Sequence, residues 1–95
     1  MGDLDGVWDV KRVSGALPPL IGVRKRISGT TGTTAIGPLP GAPFDVVGHS
    51  LHYRTPFQGF VDEVEPEGEG AFRGRATFRG REYARFEMRR VGAAD

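Results

Sequence analysis

Clusters of glycine and proline fall about eight to twelve residues apart along the whole chain, and that spacing leaves room only for short extended segments. With fifteen glycines and seven prolines among 95 residues, no stretch keeps an apolar period of 3.6 long enough to read as a helix. Between the breaks lie β-prone runs. The spacing predicts strands over Gly6 to Val13, Val23 to Ser28, Thr31 to Ile36, Phe44 to Val47, Ser50 to Arg54, Gln58 to Val64, Ala71 to Arg79 and Arg81 to Val91. Most follow one another too closely for a crossover, so neighbours must pair antiparallel. The expected fold is all-β: a small antiparallel meander barrel of about eight strands, forming one domain over residues 1–95. Closure into a barrel would also remove exposed sheet edges.

The clearest alternation lies in the last two runs. It predicts Phe72, Gly74, Ala76 and Phe78, then Ala84, Phe86 and Met88, facing inward. Arg73, Arg75, Thr77 and Arg79, then Arg81, Tyr83, Arg85, Glu87 and Arg89, are predicted to face outward. Gly48-His49 is the expected hairpin turn between the fourth and fifth strands, with glycine supplying the positive φ. The segment Ser14 to Gly22 contains Pro18-Pro19 and cannot be a regular strand. Its Leu17, Leu20 and Ile21 predict a packed loop or a single helical turn closing one end of the core.

Gly6-Val7-Trp8 opens the first strand. A Gly-x-Trp at that position is the signature of lipocalins and the wider calycin group, and the chain resembles the short bacterial lipocalin-like proteins of that group. The resemblance implies that Trp8 packs at the closed end of the barrel, with an arginine of the last strand stacked across its indole. Arg90 holds the matching position, and Arg89 replaces it if a bulge shifts the register. The chain departs from lipocalins in lacking their greater length, the helix that follows their barrel and their further motifs.

Charge and composition narrow the function classes. Net charge is +1, which argues against nucleic acid as a partner. Cysteine is absent, so disulfides, thiolate metal sites and cysteine nucleophiles are excluded. No apolar run has the length of a membrane-spanning helix. Met1 to Asp5 is acidic and has neither a basic n-region nor an apolar h-region, so no signal peptide is expected and the cytoplasm is the expected location. Gly29-Thr30-Thr31-Gly32-Thr33-Thr34 does not fit a phosphate loop, having neither the lysine nor a following helix. No cofactor and no metal are expected.

Candidate functional residues come from strand parity. Asp62, between Phe60 and Val64, and Lys25, between Val23 and Ile27, fall on inward positions, as does Tyr53 with Leu51. An inward carboxylate needs a partner or a ligand, so Asp62 and Lys25 would pair inside the cavity or bind a polar group of the ligand. A one-residue slip or a bulge would instead place both charges in solvent. His49 sits in a turn and His52 faces outward, so the two do not form a chelating pair.

The favoured expectation is a binding protein, more simply a carrier than an enzyme, for a small hydrophobic or amphipathic ligand. Its site would use Trp8, Lys25, Phe44, Tyr53, Phe60, Asp62, Phe72, Phe86 and Met88, within walls that include Val10, Ile27, Val46, Leu51 and Phe78. A second expectation is an interaction module that docks an anionic partner through the arginine face of the last hairpin, where Glu63 and Glu65 would offset Arg73 and Arg75. A third is a barrel enzyme with Asp62 or His52 as a base. A homodimer would be one way to support so thin a core.

Overall fold

The computed structural model describes residues 3–16, 22–38 and 41–93. The strands are β1 (Gly6–Gly15), β2 (Val23–Ser28), β3 (Thr31–Ile36), β4 (Ala42–Val47), β5 (Ser50–Tyr53), β6 (Phe60–Pro66), β7 (Ala71–Phe78) and β8 (Arg81–Gly92). They pair antiparallel in chain order, and β8 returns to β1, so the eight strands form a closed meander barrel. The described residues contain no helix. Leu17, Leu20 and Ile21, expected to close one end, lie outside the described residues.

Three two-residue turns fix the register. Gly29-Thr30 joins β2 to β3, Gly48-His49 joins β4 to β5, and Arg79-Gly80 joins β7 to β8. In the first two, glycine leads with φ of 64° and 61°, matching the right-handed twist of the flanking strands. In the third both residues have positive φ, 52° for Arg79 and 84° for Gly80, the backbone of a type I′ turn.

The observed strands differ from the expected ones for local reasons. β4 begins two residues early because Pro43, read as a breaker, contributes its carbonyl, which accepts from the Arg54 N–H at 3.0 Å. β6 starts at Phe60 and runs on to Pro66. A bulge in β8 at Tyr83 changes the end of the last hairpin: Ala76 faces Ala84, yet Thr77 faces Glu82. Thr77, expected outside, is therefore buried and donates its hydroxyl to the Val61 carbonyl at 2.7 Å. Phe78, expected inside, is 39% exposed and lies against Phe60, with ring centroids 4.5 Å apart. Tyr83, expected outside, is half-buried and reaches the interior cavity.

The core fills the end of the barrel where β1 begins. Trp8, Ile27, Phe44, Leu51 and Met88 are fully buried there, with Val64 and Phe72 beside them. Each such side chain contributes about 1.5–3 kcal/mol of hydrophobic burial. Trp8 and Phe72 meet edge to face at 5.3 Å. Leu4 is buried against this cluster, and its carbonyl accepts the Trp8 Nε1–H at 2.8 Å. Gly74 faces Phe86 across the β7–β8 pair, and the Phe86 ring occupies the space above it. A Cβ added at Gly74 would come within 2.2 Å of that ring.

Candidate functional site

Two antiparallel hairpins bring the candidate residues together. The Gly29-Thr30 turn pairs Ser28 with Thr31, and counting back along the ladder places Lys25 opposite Thr34. The Gly48-His49 turn pairs Val47 with Ser50 and so places Phe44 opposite Tyr53. β6 then sets Asp62 beside Leu51 on one side and Ala76 on the other. Because side chains alternate along each strand, Lys25, Thr34, Tyr53 and Asp62 converge on the barrel axis.

They form a connected polar circuit. Lys25 Nζ donates to Thr34 Oγ1 at 2.7 Å, to Tyr53 OH at 2.7 Å and to Asp62 Oδ2 at 2.9 Å. Tyr53 OH donates to Asp62 Oδ2 at 3.0 Å. The Thr34 and Tyr53 hydroxyls are 2.7 Å apart. Lys25 is only 3% exposed and Asp62 7%, so this is a buried ion pair with its hydrogen bonds in place. Among the described residues, no buried side-chain nitrogen or oxygen lacks a partner. Aromatic rings complete the lining around the ammonium: the centroids of Tyr53, Phe44 and Phe86 lie 5.3, 5.4 and 5.6 Å from Nζ.

Electrostatics follow from this packing. Burial favours the neutral amine of Lys25, but the Asp62 carboxylate, together with the Tyr53 hydroxyl, outweighs it and holds the ammonium above its ordinary pKa. Burial pushes the Tyr53 hydroxyl upward, partly offset by Lys25, so it stays protonated. A protonated lysine with all three hydrogens engaged is not a nucleophile. Asp62 Oδ2 is taken up as the acceptor of both Lys25 and Tyr53.

Above the circuit lies a cavity of about 250 Å³. Lys25, Thr34, Tyr53 and Asp62 form its polar end, while Val10, Val23, Ala76, Phe60 and Phe86 line it. Ile36, Ala42, Phe57 and Tyr83 also border it, and Ile36 and Phe57 are themselves exposed to solvent.

Of the residues expected to bind ligand, Lys25, Tyr53, Phe60, Asp62 and Phe86 line this cavity. Trp8, Phe44, Phe72 and Met88 do not: they belong to the packed end, on the far side of the polar circuit. Inward parity could not separate these two groups, because both share the same faces of the same strands. Of the expected walls, Val10 lines it and Ile27, Val46, Leu51 and Phe78 do not, whereas Val23, Thr34, Ile36, Ala42, Phe57, Ala76 and Tyr83 line it without having been expected there. Thr34 was legible, since the turn at Gly29-Thr30 pairs it with Lys25. Phe57 lies in a connection and Tyr83 at a bulge, where alternation carries no signal.

The remaining candidates lie elsewhere. Trp8 pairs with Arg90, whose guanidinium carbon stands 4.5 Å from the indole centroid. Arg90 also donates to the carbonyls of Asp3 at 2.8 Å and Asp5 at 3.3 Å, tying the segment before β1 across the closed end. His52 is exposed on the outer face. His49 is in a turn, 2.9 Å from an Asp3 carboxylate oxygen. On the arginine face, Arg73 bonds Glu65 at 2.6 Å, Arg75 bonds Glu63, and Arg85 bonds Glu82 at 3.0 Å. No group of three or more metal-ligating side chains occurs among the described residues, and no helix there is long and apolar enough to cross a membrane. Comparison of the chain with protein-family models, with curated proteins and with solved structures found no match.

Proposed function

We propose that this barrel is a binding protein that holds one small, largely apolar molecule in the cavity at its open end. The observation that carries the reading is the division of the interior. One end is packed solid around Trp8, and the other is a cavity of about 250 Å³ with apolar walls and a few convergent polar groups. That combination is the usual form of a small-molecule site. The cavity lies just below the usual range of about 300–1,000 Å³ for small-molecule sites, so the occupant is small.

A lipocalin-like relationship is part of the same reading. Gly6-Val7-Trp8 at the start of β1, Arg90 over the Trp8 ring and a closed eight-strand meander support it. A docking role for the arginine face has less support, because Arg73, Arg75 and Arg85 are each already paired with a glutamate.

Native mass spectrometry tests the proposal directly. The protein is expected to bind propylbenzene in a one-to-one complex that is lost on denaturation. Ala42→Phe, which places a ring at the cavity border, is expected to abolish the complex while leaving the fold intact. A bare mass at saturating propylbenzene, or equal binding by a folded Ala42→Phe variant, would overturn the reading.

A further inference from the structure

The polar end of the cavity selects what the ligand must carry, and its proton count is fixed by geometry. Lys25 has three N–H donors and no acceptor, and all three are directed at Thr34, Tyr53 and Asp62. Tyr53 has one proton, which it gives to Asp62 Oδ2. The contact between Thr34 and Tyr53 must then be donated by Thr34. Every proton of the circuit is thereby used internally.

One acceptor is left over. Asp62 Oδ2 receives both Lys25 and Tyr53, whereas Oδ1 has no protein partner among the described residues. Oδ1 is not sealed, since no buried side-chain oxygen there lacks a partner, and Asp62 borders the cavity. The other polar side chain on the wall is Tyr83, whose hydroxyl has no protein hydrogen-bond partner among the described residues. A group that both donates and accepts would serve both residues.

We propose that the ligand is a neutral hydroxyl compound, an alcohol or a phenol on an apolar body, that donates its hydroxyl proton to Asp62 Oδ1. The proposal rests on the cavity-binding reading and names the chemistry of its occupant. A carboxylate ligand would meet the Asp62 carboxylate and find no free Lys25 N–H. An ammonium ligand would meet the Lys25 ammonium, which is already paired with the single carboxylate of the circuit. A neutral hydroxyl matches the local charge, because Lys25 and Asp62 cancel. The ring-bearing walls, Tyr53, Phe60, Tyr83 and Phe86, suit a phenol in particular.

The test is a matched series on the unmodified protein: propylbenzene, 4-propylphenol and 4-propylbenzoate, titrated calorimetrically at neutral pH, with amide chemical shifts mapping where each one binds. The phenol is expected to bind at least about tenfold more tightly than propylbenzene, as a hydrogen bond to a charged acceptor allows. Its shifts are expected to centre on Lys25, Tyr53 and Asp62. The benzoate is expected to bind more weakly than the hydrocarbon. If propylbenzene binds and the phenol gains nothing, or the benzoate binds best, the hydroxyl assignment falls while the cavity reading stands. If no member of the series binds, both fall.

Discussion

Phe86 lies over Gly74 so closely that the glycine has no room for a side chain: a Cβ there would stand 2.2 Å from the ring. Gly74 is on an inward position of β7, where a larger apolar residue would ordinarily add to the core. Here the ring of the neighbouring strand fills that space and, on its other side, borders the cavity.

Gly74→Ala is therefore expected to destabilise the barrel by about 1–3 kcal/mol, the usual range for overpacking. Because Phe86 must move to admit the methyl group, the variant is also expected to bind propylbenzene more weakly. Urea denaturation and calorimetry would check both effects. An unchanged midpoint would show that Phe86 moves aside at no cost.

The stack of Arg90 on Trp8 predicts a graded response. Arg90→Ala removes the cation–π contact and the two bonds to the Asp3 and Asp5 carbonyls, and should cost about 1–2 kcal/mol. Arg90→Lys keeps the charge but loses the flat, forked guanidinium, so it should recover only part of that loss. Trp8 is the single tryptophan of the chain, so its fluorescence reports the change without interference.

The Lys25–Asp62 pair predicts strong non-additivity. Lys25→Met strands a buried carboxylate and is expected to cost about 3–5 kcal/mol. In the double variant Lys25→Met/Asp62→Leu no charge is left without its partner, and it should be more stable than the Lys25→Met single variant. Denaturant midpoints of the two singles and the double would give the coupling. A double variant as unstable as the sum of the singles would contradict the pairing seen here.

Alkaline pH should weaken the fold through the same circuit. The folded state holds the Lys25 ammonium above its ordinary value of 10.5 and the Tyr53 hydroxyl above 10.0. As pH rises, the unfolded chain releases these protons first, so the folded state binds more protons. The stabilisation is complete below about pH 10 and declines as pH climbs beyond it. Denaturation midpoints should stay level from neutral pH to about 10 and fall above it, and the fall should be smaller in Lys25→Met/Asp62→Leu.

Much of this was legible in the sequence, and what was not has a physical cause. Alternation in Phe72 to Ala76 and in Ala84 to Met88 placed those residues correctly, because a ladder without bulges keeps its parity. It misplaced Thr77 and Phe78, where the inserted Tyr83 shifts the pairing by one residue. The inward positions of Lys25 and Asp62 were visible, and so was a pairing between them as one reading; what alternation could not supply was the choice of that reading over a ligand or a slipped register, since β2 and β6 are not neighbours in the barrel. Nor could parity distinguish Trp8, in the packed end, from Val10, which borders the cavity two residues along the same face. That distinction depends on depth along the barrel axis, which only the assembled register supplies.

Closure through β1 and β8 has a consequence for how the barrel forms. Every other strand pair joins chain neighbours, but this one joins Trp8 to Arg90 across nearly the full chain. The entropy of bringing such distant segments together must be met before their ladder and the Trp8–Arg90 stack repay it. A chain that has formed only its hairpins leaves β1 and β8 as open edges and the tryptophan wet. The seam that seals the core is thus the one expected to close last, which would make assembly of the barrel a single cooperative event rather than a sequence of stable parts.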